Sequence, residues 1–132
     1  DVNPKTVAWC QADGLNVHLM EPDRLPFEDQ YFDSVILDNV LEHIEDPNLI
    51  LLDIHRVLKQ SGMLIVGVPG ALGYSSDPDH KVFYTKESLT KKVACYDFLV
   101  DDLFGMPLDF DWLGSKISQY CVYAVFKKQS LK

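Results

Sequence analysis

The stretch from Ser34 to Gly70 constrains the fold more than any other part of this chain. Residues Ser34–Leu37, "SVIL", are mostly apolar without alternation, which suits a strand buried on both faces of a parallel sheet. "EDPNLILLDIHRVLKQSG" follows, with Ile50, Leu51, Ile54, Val57 and Leu58 recurring at helical spacing. Asp46 can cap this helix, Pro47 can open it and Gly62 can close it. "MLIVGVPG" (63–70) then reads as a second buried strand ended by Pro69-Gly70. Strand, helix and strand bounded by turn residues predict a βαβ crossover, and with it an α/β fold.

The flanks are consistent with that frame. "NPKTVAWCQADG" predicts a helix capped by Asn3, opened by Pro4 and terminated at Gly14. "LNVHLM" (15–20) reads as a short strand, and 21–33, with two prolines and scattered acids, as a loop. Residues 70–84 read as a long loop. Thr85 caps a helix to about Tyr96 with Leu89 and Val93 on its buried side. "FLV" (98–100) and "QYCVYAVF" (119–126) are the late strands, separated by the aromatic loop "GMPLDFDWLGSK". A length of 132 residues fits a single domain, 1–132.

Charge and cysteine usage narrow the partners. Twenty acidic residues against 12 basic ones give a net charge of −8, which offers a nucleic-acid backbone no attraction. Cys10, Cys95 and Cys121 are odd in number and widely spaced, neither a disulfide framework nor a zinc motif, so a reducing cytoplasm is expected. No run approaches the ~18–20 apolar residues of a membrane span. The first residues have no signal-peptide pattern.

In open α/β sheets ligands bind beyond the carboxyl ends of the strands. Three such ends carry acids: Asp1 before the first helix, Glu21 after "VHLM", and Asp38-Asn39 after "VIL". Carboxylates there suit ribose hydroxyls and an exocyclic amine, both hydrogen-bond donors. A phosphate would find neither a glycine-rich cradle nor a loop lysine.

"LPFEDQYFDSVILDNVLEHIEDPNLILLDIHRVLKQSGMLIVGVPG" resembles the middle of class I S-adenosylmethionine-dependent methyltransferases, in the bacterial subgroup that shares "LPF…FD…LEH…DP…RVLK.GG.L….P". The resemblance is specific over about residues 1–70 and holds only in pattern over 71–132. It implies a Rossmann-like three-layer fold whose last strand is antiparallel, with strand order 3-2-1-4-5-7-6. The family's first strand, glycine-rich loop and most of its second strand are absent from this sequence, which is then a fragment (the reading favoured here), a reduced relative, or a chain that borrows strands from a second copy. Central strands standing elsewhere would favour low stability or a homodimer.

By the same resemblance, Asp1 and Val2 fall where the family holds the adenosine ribose of S-adenosyl-L-methionine. Glu21 falls where an acid accepts from the adenine amine. Pro22 follows it without the backbone N–H that usually reaches adenine, so that contact is lost or passes to Asp23. Asp38 and Asn39 border the methionine moiety. His43, Tyr74 and His80 are acceptor-contact candidates, His43 also as a general base. Phe104, Phe110 and Trp112 either line an acceptor pocket or, the reading favoured here, cap the open end of the core. Some quinone-precursor relatives hold a divalent metal with the Glu-His pair itself, here Glu42-His43, together with a glutamate four residues before such a histidine. Asn39 stands there instead, and no metal is expected.

The activity implied is methyl transfer. "LDNV" differs from the N-P-P-Y-like tetrapeptide of enzymes that methylate nucleobase or glutamine nitrogens, which leaves a small-molecule, sugar or lipid-precursor acceptor. The alternative is a noncatalytic methyltransferase-like binding or assembly module. A nicotinamide-dependent reductase is rejected, because neither G-x-G-x-x-G nor Tyr-x-x-x-Lys occurs.

Overall fold

Val35 and Leu37 stand beside Leu64 and Val66, and that pairing sets the architecture of the computed structural model, which describes residues 1–129. Strand β1 (Phe32–Asp38) runs parallel to β2 (Leu58–Pro69), joined by helix α2 (Asn48–Val57), so the predicted βαβ unit forms. Strand β4 (Cys121–Lys128) pairs antiparallel with β2 and with β3 (Phe98–Met106), giving the order β1-β2-β4-β3. Thus β1, β2 and β3 share one direction and only β4 opposes them. This is the 4-5-7-6 portion of the order that the resemblance implies.

Period-two alternation puts Leu64, Val66 and Val68 of β2 on one face with Val122, Ala124 and Phe126 of β4. Ile50, Leu51 and Ile54 of α2 pack on that face with Leu89 and Val93 of α4 (Lys86–Ala94), and together they form the core. On the opposite face Ile36 and Met63 are exposed, while Ile65, Tyr123 and Val125 are half-buried.

Helix starts follow their caps. Asn3 accepts from the Lys5 and Thr6 N–H groups at the start of α1 (Pro4–Ala12). Thr85 and Ser88 form a reciprocal capping box on α4: Thr85 Oγ1 accepts from Ser88 N–H and Ser88 Oγ from Thr85 N–H. Thr85→Ala removes one of these bonds, and we expect it to lower the unfolding free energy by about 1 kcal/mol in urea titration.

Four expectations are corrected. Residues 15–20 form no strand: the segment runs beside the amino terminus, with Met20 N–H donating to Asp1 O and Gln11 Nε2 to Val17 O. Helix α2 ends at Val57 rather than near Gly62, where Lys128 Nζ donates to the carbonyls of His55 and Leu58. Gly62 lies within β2, where a Cβ would meet Lys59 O at 2.9 Å and Asp33 O at 3.1 Å. The expected 70–84 loop contains a short helix, α3 (Ala71–Ser75). Finally, β3 runs to Met106, well beyond "FLV", because β4 offers it a full ladder.

Candidate functional site

The carboxyl end of β1 is held by its neighbours. Asn39 takes a left-handed conformation, φ 51°, which asparagine tolerates better than most residues, and this turns the chain out of the sheet. Its N–H donates to Gly67 O of β2 (2.9 Å). Asp38 Oδ1 accepts from the Tyr123 hydroxyl of β4 (2.8 Å) and from Asn39 Nδ2 (3.1 Å). The Cys121 thiol lies 3.8 Å from Asn39 Oδ1.

Burial and the Asp38 bond push the Tyr123 phenol up to about 12. Burial also raises the Cys121 thiol, reinforced by the charges of Asp38 and Glu42 against a lowering contact from Asn39, so both groups stay protonated at neutral pH. Gly67 is required by close approach, since a Cβ there would overlap the Asp38 carboxylate and the Tyr123 ring.

A second group follows at once in sequence. A 3-10 turn, Leu41–His43, buries Glu42 completely, and neither of its carboxylate oxygens has a hydrogen-bond partner among the described residues. Its backbone carbonyl accepts from the N–H groups of Lys81 (2.7 Å) and Val82 (3.1 Å), which fastens the 76–82 segment alongside. His43 and His80 therefore meet, ring centroids 4.7 Å apart, and Tyr74 stacks on His80 at 5.4 Å. Burial raises the Glu42 pKa, opposed by its own backbone and by the two imidazoles. The structure thus brings together all three acceptor-contact candidates, 31 and 37 residues apart from His43 along the chain.

Asp1, Val2, Glu21 and Pro22 form a third, exposed group. Asp1 Oδ1 accepts from Asn3 N–H (2.7 Å), while Asp1 O accepts from Met20 N–H (3.0 Å), so Asp1 lies beside Glu21's neighbour. Among the described residues no hydrogen bond or ion pair joins this group to Asp38 and Asn39.

The adjoining "LPF" segment is fixed from α2. Leu25 N–H donates to Asp53 Oδ2 (2.7 Å), and Arg56 donates to Leu25 O, Phe27 O, Asp29 and Asp53. Arg24 adds an ion pair to Asp53 at 3.2 Å. Burial works against the Asp53 anion, but the bonds from Arg56 and Leu25 and the charges of Arg56 and Arg24 win, leaving its pKa below the ordinary carboxylate value. Asp53 and Arg56, at i and i+3, lie on one helical face, and that face carries the clamp.

The aromatics depart from the favoured expectation. Phe110 and Trp112 are exposed and stacked on each other, and they do not cap the core. Phe104 stacks on Tyr123 at 5.8 Å. Sequence reasoning missed Tyr123, Cys121 and Gly67. Alternation in "CVYAVF" held the signal, because Val122, Ala124 and Phe126 claim the core face and leave Cys121 and Tyr123 opposite.

Among the described residues no helix is long and apolar enough to cross a membrane. A family profile described as a methyltransferase domain matches residues 1–66. An uncharacterized protein of Methanocaldococcus jannaschii is 36% identical over 110 residues, covering 78% of this chain and 40% of its own. A protein of Mycolicibacterium smegmatis named as a probable S-adenosylmethionine-dependent methyltransferase is 28% identical over 114 residues, covering 80% of this chain and 44% of its own. The chain spans 28–44% of the length of the curated relatives it matches.

Among solved structures, a SAM-dependent methyltransferase from Thermotoga maritima superposes with a TM-score of 0.75 at 19% identity, covering 98% of this chain and 72% of that one. At that identity the likeness is one of fold. The profile match over residues 1–66 includes the "LPF" clamp and the Asp38–Asn39 turn, and on it the chain belongs to the methyltransferase domain family, whose methyl donor is S-adenosyl-L-methionine.

Proposed function

We propose that residues 1–132 belong to one methyltransferase domain that transfers a methyl group from S-adenosyl-L-methionine to a small-molecule, sugar or lipid-precursor acceptor. The observation that carries this is the Asp38–Asn39 turn, inside the family-matched segment at the carboxyl end of β1, packed against Gly67 of the adjacent parallel strand and held by the Tyr123 hydroxyl. When bound, S-adenosyl-L-methionine supplies an electrophilic methyl on a sulfonium, and the transfer is an in-line displacement that asks the protein mainly to orient and exclude water.

In this reading Asp1 accepts from the ribose hydroxyls, with Val2 beside it, and Glu21 accepts from the adenine amine. Pro22 offers adenine no N–H, so Asp23 is the next backbone donor. Asp38 and Asn39 face the methionine end, where Tyr123 fixes the Asp38 rotamer. His43, Tyr74 and His80 border the acceptor. The His43 Nδ1 lies 3.3 Å from Asp79 O, which suits an Nδ1–H tautomer and leaves Nε2 able to take an acceptor proton.

A recess of about 420 Å³ lined by Gly70, Phe83, Tyr84, Tyr120 and Val122 is of small-molecule size and lies at this end of the sheet. A recess of about 580 Å³ by Ser61, Asp97 and Leu99 lies at the amino ends of β2 and β3, away from the chemistry. The acidic charge supports a non-nucleic-acid acceptor, and the free cysteines support a cytoplasmic location. A second copy of the chain could add to β1, whose outer edge has no strand partner among the described residues.

The test is calorimetric titration of S-adenosylhomocysteine into the chain. We expect micromolar binding, weakened about tenfold by Tyr123→Phe, which removes the hydroxyl that anchors Asp38 (roughly 1.4 kcal/mol). A folded chain that does not bind the product would overturn this reading and leave a noncatalytic binding or assembly module.

A further inference from the structure

We propose that Glu42, His43 and His80 form a binding site for one divalent transition-metal cation of the zinc class. Their ligand atoms lie within 4.8 Å of one another. The Nε2 atoms of His43 and His80 stand 3.9 and 3.8 Å from the same oxygen, Glu42 Oε1.

The hydrogen bonding of the rings makes this convergence unusual. His80 Nδ1 lies 2.8 Å from Tyr74 O and His43 Nδ1 lies 3.3 Å from Asp79 O. A carbonyl only accepts, so each ring carries a proton on Nδ1, and the neutral imidazole then presents its Nε2 lone pair. Two lone pairs and a carboxylate oxygen then face one point. The Glu42 carboxylate is fully buried, and neither of its oxygens has a hydrogen-bond partner among the described residues. Acceptors turned toward one another beside a buried carboxylate repel unless a cation, a metal ion or a proton, stands between them.

Distance and donor type agree with an ion. Donors about 2.1 Å from a tetrahedral zinc-class ion stand roughly 3.4 Å from one another, so the separations of 3.9 and 3.8 Å need to close by only about half an ångström. Two imidazoles and one carboxylate suit zinc, iron, cobalt or nickel better than magnesium or calcium, which prefer oxygen. The carbonyls of Tyr74 and Asp79 supply the outer hydrogen bonds that fix ring orientation in such sites. Asp77 Oδ2, 3.7 Å from His80 Nε2, borders the site and is half-exposed. Three protein donors leave a position open for water or another oxygen. The donor that sequence spacing did not offer is His80, brought in by the backbone bonds from Lys81 and Val82 to Glu42 O. Asn39 is not needed, and with the ion bound the His43 Nε2 lone pair serves as a ligand and no longer as a proton acceptor.

The chain, stripped with a chelator, is titrated with Zn²⁺ and separately with Co²⁺, with bound metal measured by elemental analysis and the visible Co²⁺ spectrum recorded. We expect one ion per chain, a raised Tm, and a cobalt spectrum of nitrogen-oxygen ligation. His43→Ala and His80→Ala should each weaken binding by at least about 100-fold, the upper end of what even an outer partner costs. His18→Ala, at an exposed histidine outside the site, should leave it unchanged. Glu42→Gln should also lose the ion; if that variant does not fold, the two histidine variants carry the test. Absence of a stoichiometric ion, or unchanged affinity in His80→Ala, overturns the proposal. The readout is metal content, independent of methyl transfer.

Discussion

Arg56→Ala is expected to destabilise the fold by about 3 kcal/mol, measured by urea unfolding at neutral pH. The reason is the partner it leaves behind. Asp53 is 6% exposed and Arg56 18%, so the pair is largely withdrawn from water. Removing one member of a buried pair costs roughly 3–5 kcal/mol, because the other charge stays desolvated. The lower end applies, since Arg24 remains 3.2 Å from Asp53 and the Leu25 N–H bond survives. The substitution also deprives the Leu25 and Phe27 carbonyls of donors. Arg56→Lys should recover only part of the loss, because a single ammonium cannot span Asp53, Asp29 and two carbonyls as a guanidinium does. A loss below about 1 kcal/mol would show the clamp to be a solvated surface contact.

The same pair sets a pH signature. The Asp53 pKa is depressed in the folded protein relative to its ordinary value of 3.8. Its contribution is therefore complete above that value and disappears as pH falls through the lower, folded value. The gap between wild type and Arg56→Ala should be full at neutral pH and narrow below about pH 3.8, where Asp53 begins to bind a proton in the unfolded chain. A gap that stays constant into acid would mean packing of the Arg56 stem, not charge, supplies the stability.

The same contrast between local and distant causes explains what the sequence revealed. The βαβ unit was legible because its signals are local: Val35 to Leu37 and Leu64 to Val68 are apolar runs of strand length, and Ile50, Leu51 and Ile54 mark one helical stripe. The end of α2 was not, because Lys128, 70 residues beyond Leu58, supplies the donor that closes it. Residues 15–20 had a plausible strand composition, yet a strand exists only beside another backbone, and none of the four strands offers one there. Asp38 and Asn39 stood out as a polar break after an apolar run. Their partners Gly67, Cys121 and Tyr123 lie 28 to 85 positions away and reach them only through sheet register. Glu42 was visible only as part of "LEH"; its burial comes from the way the 76–82 segment closes over it.

Gly67→Ala is expected to disturb the site more than any single-side-chain deletion around Asp38. Gly67 sits opposite Asp38 on one side and Tyr123 on the other. An added Cβ would lie 2.5 Å from Tyr123 Cε1 and closer still to the Asp38 carboxylate. The ring cannot retreat freely, because it stacks on Phe104 and belongs to the central antiparallel strand. Overpacking of this kind costs roughly 1–3 kcal/mol, and about 2 kcal/mol of unfolding free energy is expected here. The Asp38–Tyr123 bond must also break, displacing the carboxylate that the proposed site requires. S-adenosylhomocysteine affinity should then fall by about 100-fold, a loss of roughly 2.7 kcal/mol, against the tenfold of Tyr123→Phe. Combining Gly67→Ala with Tyr123→Ala separates the two effects: the cavity left by the ring should absorb the new methyl and restore part of the stability, but not the affinity, since Asp38 still has no anchor. If Gly67→Ala binds the product as the parent chain does, Asp38 does not hold the cofactor in the conformation seen here.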